Sequence, residues 1–597
     1  METYSLLYGM LDGHERRRAF LVGAIMLVVS ASEVAGVAAV LPFLSALANP
    51  AAFSQNKVVI ALGLDRFSSH PSFMLWLGTA FLAVLILSLI LRGIGAWALL
   101  RFASNRNVSW SSRLLERHLH QTYPWYIQQN SSELTASVIS EVDAAVTEGL
   151  MPSLQVISQA LVSAFIVTTL ILANPVLAFA VAATMGFAFW LVSAGFRNRL
   201  LLLGKDRIET YNERLRMAQD SFVSFKEIRL AGLESMTVAR FLVPSERRAQ
   251  LQVQAGMLGQ IPALAMQALL FGGLLGLTLF LLATEGSISS ALPIIGLYAF
   301  AAYRLMPALQ RLFDELAKLR AAHHAIARVS ESLRSTTIDP DDNRALAAST
   351  FEHALDLRSV TLVYPGKVNP AVLDISLQIP AGSFVGIVGA TGSGKSTLMD
   401  IILGLLPPTR GEILVDGRPL DSLAKCRAWQ RNIGYVPQQI FLSDESIAAN
   451  ISFDSTGNSV DTEKLERAAS LSCANEFIEA LPERYETGVG DRGIRLSGGQ
   501  RQRIGIARAL YHDPHVLVLD EATSALDNVT EGAVMSSIRH ARANRTVILI
   551  AHRLSTVRSC DVIFVMEGGR LVASGSYDDL ATSCGAFQLL LRGGQER

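Results

Sequence analysis

Residues 389–397 read GATGSGKST, preceded by the short apolar stretch SFVGIV and followed by the apolar run LMDIILGLL. Strand, glycine loop and helix in that order are the context in which backbone N–H groups close around phosphate oxygens. Gly389, Thr391, Gly392, Ser393, Gly394 and Thr397 form the expected cradle, with Lys395 on the β- and γ-phosphates and the Ser396 hydroxyl on Mg2+. A second stretch, HVLVLDEATSALD at 515–527, ends an apolar run in Asp520 and Glu521. Asp520 suits the magnesium shell, and Glu521 suits a general base or positioner of an attacking water. Such a carboxylate pair alone is as readily a solvated strand end. Beside a phosphate-binding loop it points to hydrolysis of ATP.

Between the two lies RLSGGQRQRIGIARAL at 495–510, where Ser497, Gly498 and Gly499 open a helix with a positive dipole end, a second anion site. LSGGQ together with the loop and LVLDE resembles the nucleotide-binding domain of ABC transporters, over essentially all of 351–597. The resemblance implies further roles: Tyr364 stacks on adenine, Gln438 is the Q-loop glutamine beside Mg2+, Gln500 belongs to the signature, Asp527 to the D-loop, and His552 is the switch histidine. The catalytic set it implies is Lys395, Gln438, Glu521 and His552. In this family the signature of one subunit completes the ATP site of the other. One membrane half and one complete engine per chain therefore imply a homodimer, with a heterodimer as the alternative.

The rest of the chain must hold this engine somewhere. Of 597 residues half are hydrophobic and 17% charged, the formal net charge is zero, and long uncharged runs fill the N-terminal half. Two solvents are implied, and no nucleic-acid partner. The four cysteines, Cys426, Cys473, Cys560 and Cys584, contain no CxxC pair, which fits reduced cytosolic thiols and neither a disulfide framework nor zinc. Six apolar runs, at 19–47, 72–103, 150–173, 175–196, 257–283 and 287–310, each reach the roughly 20 helical residues that cross a hydrocarbon core. The basic cluster Arg16–Arg18 precedes a span too long for a signal-peptide core, so the first run reads as a retained membrane helix.

Basic residues gather before the first run and after the second, fourth and sixth, which puts both termini in the cytosol. The connections 104–149 and 197–256 read as helices continued into water, with contact turns at QTYPWYIQQ (121–129) and SFVSFKEIRL (221–230). The polar stretch 334–350 is a linker. The domains expected are a six-helix membrane domain at 1–335, a linker at 336–350 and an α/β P-loop NTPase domain at 351–597.

Six fused helices with long cytosolic extensions resemble type I ABC exporters. The segments at 30–50, 130–146 and 224–234 extend the likeness to the bacterial lipid-linked oligosaccharide flippases, which implies an inner-membrane location and a polyprenyl-pyrophosphate-linked glycan as cargo. Another lipid, an amphipathic peptide or a drug stays open as cargo, as does an ATP-gated regulator that moves nothing.

Arg92 interrupts LSLILRGIGAWALL, and Arg304 sits in AAYRLMPAL. A charge inside lipid is costly unless it is compensated, so each marks a functional position. Two readings are open. In one, Arg92 snorkels to the inner headgroups and Arg304 pairs with Glu33 of the first helix; in the other, both arginines face a cavity and bind an anionic headgroup. Helix rise puts Arg92 roughly 30 Å and Arg304 roughly 20 Å inward from the outer surface, which makes Glu33 a poor neighbour for Arg92. The apolar segment 53–67 is either a small amphipathic surface helix or a packed outer loop.

Overall fold

A computed structural model describes residues 2–40, 43–44, 46, 71–173, 175–285, 288–334, 351–453, 460–523, 525–541, 545–551 and 554–595. The segment 53–67 and the linker at 336–350 lie outside them. The chain divides into two compact units, Met1–Gln121 with Gln128–Thr337, and Thr122–Ile127 with Ile338–Arg597.

Among its described residues the first unit holds helices and turns and no strand. A short helix α1 (Glu2–Met10) leads into α2 (Gly13–Ala38), then α3 (Pro71–Leu119). After the turn helix α4 (Tyr123–Tyr126) come α5 (Met151–Ala173), α6 (Pro175–Val223), α7 (Phe225–Ala231), α8 (Glu234–Glu285), α9 (Ile288–Ala321) and α10 (His323–Arg334). Residues 19–38 of the first apolar run fall on α2, and the described residues of the other five fall mainly on α3, α5, α6, α8 and α9. Prolines open α3 and α6, where a missing N–H costs nothing. Helices of 49, 49 and 52 residues in α3, α6 and α8 are each more than about 70 Å long, over twice the hydrocarbon thickness. Their polar halves therefore stand in water, as the charged connections foretell.

Two π-helical stretches, Ser137–Glu141 and Ala145–Leu150, precede α5. Nothing in the sequence signals them. They sit where buried Glu141 meets Arg328 of α10 at 2.9 Å and where Gly149 lets Ile326 approach.

Helices α2 and α3 run antiparallel in a fixed register. Near one end Glu15 forms an ion pair with Arg106 and accepts a hydrogen bond from Ser109 Oγ at 2.8 Å. Further along, a Cβ on Gly95 would come within 2.8 Å of Val29 Cγ2, and Gly36 faces Leu85. Small residues thus let the helices approach closely.

The second unit holds two sheets. One is antiparallel, in the order β2 (Val372–Pro380), β1 (Ala354–Leu362), β4 (Arg410–Val415), β5 (Arg418–Pro419). The other has the order β10 (Arg570–Gly575), β9 (Val562–Glu567), β3 (Phe384–Gly389), β8 (Thr546–Ile550), β7 (Val516–Asp520), β6 (Ile433–Val436), parallel except at the β9–β10 edge. Every residue of β3 and β8 is buried, as strands covered on both faces require. Ile550 of β8 pairs with Ile387 on one side and Asp520 on the other. That register brings the ends of β3 and β7 to the same sheet edge, one strand apart.

The Glu15 and Arg106 side chains are 9% and 6% exposed, against 28% for Arg113 beside them. Removing one partner of a buried pair strands the other charge, at about 3–5 kcal/mol. Arg106→Ala should therefore lower the thermal midpoint of the detergent-solubilised protein clearly more than Arg113→Ala, measured by intrinsic fluorescence.

Candidate functional site

The loop after β3 turns through Gly392 and Gly394 at positive φ, 79° and 96°. A Cβ on Gly394 would meet the Ala371 carbonyl at 2.6 Å, so glycine is required there. Helix α11 (Lys395–Ile402) starts immediately afterwards. Lys395 is buried, and its Nζ donates to the Gly389 and Ala390 carbonyls at 2.8 and 2.9 Å. Burial holds its pKa below the usual lysine range, while the Glu521 and Asp520 carboxylates oppose that shift.

Ser393 Oγ is buried with no hydrogen-bond partner among the described residues, while Ser396 is exposed. An orphan hydroxyl inside a ring of backbone amides, with a lysine and two carboxylates beside it, fits a nucleotide phosphate and a hard cation. Tyr364 reaches the same loop through a 3.2 Å contact between its hydroxyl and Thr397 Oγ1.

Asp520 closes β7, and Glu521 follows at φ 49°, its N–H held by the Ile550 carbonyl at 3.1 Å. Gln438 Nε2 donates to Glu521 Oε2 at 2.8 Å, joining two residues 83 positions apart. The signature opens α12 (Gly498–Leu510) through a capping box: Gln500 N–H donates to Ser497 Oγ at 3.2 Å, and Ser497 N–H donates to Gln500 Oε1 at 2.8 Å. Gln500 thus shapes the helix end within its own chain. Asp527 caps α13 (Asn528–Ala541), its two oxygens accepting from Thr530 N–H and Oγ1 at 2.9 and 2.8 Å, and these bonds hold its carboxyl below the usual range. His552 lies outside the described residues.

Sequence reasoning passed over a cluster beside this site. Burial, and secondarily the Asp520 carboxylate, push Asp400 up to about 6, and burial with Asp520, Asp400 and Tyr123 pushes Tyr435 up to about 12. Tyr123 comes from the 121–129 turn, whose residues Thr122–Ile127 cluster with this unit, and it packs against the core under β1 and α11. The signal was available: Asp400 is the one charge in LMDIILGLL.

In the helical unit a cavity of about 360 Å3 opens among α2, α3, α5 and α9. Arg92 and Arg304 both line it, with Glu33, Gln159, Tyr303 and Arg311. Arg92 Nε stands 3.6 Å from Glu33 Oε1, and the two side chains are 39% and 14% exposed. Among the described residues Glu33 makes no ion pair with Arg304. This corrects the placing of Glu33 as a poor neighbour for Arg92, and with it the reading in which Glu33 pairs with Arg304. Depths counted from separate span edges failed because the α2–α3 register, set by Glu15 with Arg106 and Val29 with Gly95, puts Glu33 and Arg92 level. Arg304 lies over the Phe300 ring at 5.9 Å, and its buried Nε has no hydrogen-bond partner among the described residues. Phe300, Tyr303, Arg304, Pro307, Ala308 and Arg311 follow helical spacing along one face of α9. That stripe was readable in the sequence.

Two family models match the chain: "ABC transporter" over residues 372–524 and "ABC transporter transmembrane region" over residues 36–305. A protein named ATP-dependent lipid A-core flippase from Xanthomonas oryzae pv. oryzae is 34% identical over 381 residues, covering 63% of each chain. One of the same name from Cupriavidus pinatubonensis is 29% identical over 548 residues, 90% of each. An ABC multidrug transporter, atrD, of Emericella nidulans is 40% identical over 266 residues, 43% of this chain and 20% of that one. The match thus spans less than two thirds of the length of the Xanthomonas relative. Among solved structures, a bacterial Atm1-family ABC exporter with ATP bound superposes with a TM-score of 0.79 at 23% identity, over 98% of this chain and 99% of that one.

Glu521→Gln should retain nucleotide binding while slowing ATP hydrolysis by about 100-fold or more, measured as phosphate release. Near-normal turnover would reject its assignment. Asp400 gives a pH test. Its folded pKa of about 6 lies above its ordinary 3.8, so the folded protein binds that proton more tightly, and the stability this provides is lost as pH rises toward and through about 6. Without nucleotide, Asp400→Asn should raise the thermal midpoint at pH 7.5, and the gain should vanish as pH falls below about 4.

Proposed function

This chain belongs to the ABC transporter family and has the type I exporter fold, a transmembrane helical domain fused to an α/β nucleotide-binding domain, and on that premise we propose that it is an ATP-driven flippase for a phosphate-bearing glycolipid. The finer reading is a polyprenyl-pyrophosphate-linked oligosaccharide moved across a bacterial inner membrane. The observation that carries it is the cavity in which Arg92, Arg304 and Arg311 converge. Guanidinium offers paired donors to phosphate and does not deprotonate, so it suits a pyrophosphate headgroup whose tail stays in lipid. The naming of two relatives as lipid A-core flippases supports an anionic lipid as the class.

Bound ATP with Mg2+ supplies the phosphoanhydride whose cleavage drives the cycle. Ser396, Gln438 and Asp520 would hold the cation. Lys395 would exchange its two loop carbonyls for phosphate oxygens, and the Gln438 hydrogen bond fixes the carboxylate of Glu521 for the attacking water. The 121–129 turn, packed with the nucleotide-binding unit through Tyr123, carries motion toward the helices. The second turn exposes Phe222, Phe225 and Leu230, each at least 63% accessible, and a second copy of the chain is the partner that covers them. A homodimer with the termini and engines in the cytosol completes the reading.

The test uses proteoliposomes containing a labelled polyprenyl-pyrophosphate oligosaccharide, following the label's accessibility on the engine-facing leaflet. ATP should drive loss of accessibility in the native protein and not in Glu521→Gln, and Arg92→Ala and Arg304→Ala should each slow it about tenfold or more. Full transport by both arginine variants would sink the cavity as the substrate site. No movement alongside brisk ATP hydrolysis would reject the glycan cargo.

A further inference from the structure

Among the described residues the cavity is lined by one carboxylate and three guanidiniums. Glu33 lies on the mostly apolar helix α2 and points its oxygen at Arg92 across 3.6 Å, beyond the range of an N–H···O hydrogen bond. Two ion pairs elsewhere in the unit bury their carboxylates more deeply than the 14% exposure of Glu33. Glu15 with Arg106 is nearly sealed from solvent, and Glu141, 4% exposed, meets Arg328 at 2.9 Å. The Glu33–Arg92 pair is longer than these two, and both of its side chains line the cavity. Meanwhile the buried Nε of Arg304 has no hydrogen-bond partner among the described residues, and Arg304 and Arg311 line the same space.

We propose that Glu33 is the cavity's internal counter-ion, which occupies Arg92 between substrates and yields it to the dianionic phosphate headgroup of an amphiphile. This rests on the reading of the cavity as an anion site. Three arginines against one glutamate leave the wall two positive charges in excess, complementary to a pyrophosphate diester or to two phosphates on one lipid. A wall with three unopposed cations would grip such a headgroup too tightly to turn over. An internal carboxylate weakens binding and reclaims Arg92 when the headgroup leaves, so entry and exit each exchange one anion for another on the same guanidinium. Glu33 is then a positioning residue acting through Arg92.

The experiment uses the full-length protein in nanodiscs, with geranylgeranyl pyrophosphate as anionic probe and geranylgeraniol as a neutral probe of the same tail. Glu33→Gln should bind the pyrophosphate about tenfold more tightly and the alcohol unchanged. The gain should vanish in an Arg92→Gln background. In probe-stimulated ATP hydrolysis, Glu33→Gln should lower KM and kcat together, because release slows. Glu33→Asp, which keeps the charge but shortens its reach, should tighten binding by a smaller factor, and it decides the matter if Glu33→Gln does not fold. Unchanged or weaker pyrophosphate binding in the glutamate variants, while Arg304→Ala weakens it, would overturn the counter-ion and leave the cavity reading standing. Unchanged binding in Arg304→Ala would remove the cavity reading and this proposal with it.

Discussion

A guanidinium inside a membrane must be compensated, and Arg92 finds its carboxylate across a helix pair whose register a second ion pair, beyond the apolar run, also fixes. Glu15 meets Arg106 near one end of α2 and α3, and Glu33 meets Arg92 further along. Between them Gly95 admits Val29, so sliding either helix by a turn would break both ion pairs and open the packing. The register that satisfies the charges also seats Arg92 beside Glu33 in the cavity that Arg304 and Arg311 of α9 line.

The soluble unit depends on a comparable constraint. β8 lies between the strand that ends in the phosphate loop and the strand that ends in Asp520, with Ile550 pairing to both. The parallel register leaves little freedom in where Lys395 and Glu521 stand, and the Gln438–Glu521 hydrogen bond joins a third segment to them. Tyr123 enters the same neighbourhood from the membrane half of the sequence and feels Asp400 and Tyr364.

Much of this was legible before any coordinates. The glycine loop, the Asp-Glu pair and the signature declare their geometry because backbone N–H groups and a helix end bind phosphate in few ways. The membrane helices were legible as apolar runs because lipid accepts long apolar helices, and three stretches among the described residues are long and apolar enough to cross a membrane. Other features depended on three dimensions. The partner of Arg92 followed from interhelical register, which no single-helix count supplies. The roles of Gln500 and Asp527 as caps depended on local hydrogen bonds that a motif match does not distinguish from ligand contacts. The π-helical turns before α5 have no compositional signature. The stripe from Phe300 to Arg311 stood in plain view, hidden by attention to Arg304 alone.

The central claim is that a cationic membrane cavity couples an anionic headgroup to the ATP engine. Its most direct test is the rate of ATP hydrolysis by the full-length protein in nanodiscs as a polyprenyl-pyrophosphate glycolipid is added, against its dephosphorylated counterpart. The account predicts that the pyrophosphate lipid raises turnover, that the neutral lipid does not, and that Arg304→Ala abolishes the difference while leaving basal hydrolysis measurable. Equal stimulation by the two lipids, or a preference that survives Arg304→Ala, would contradict it.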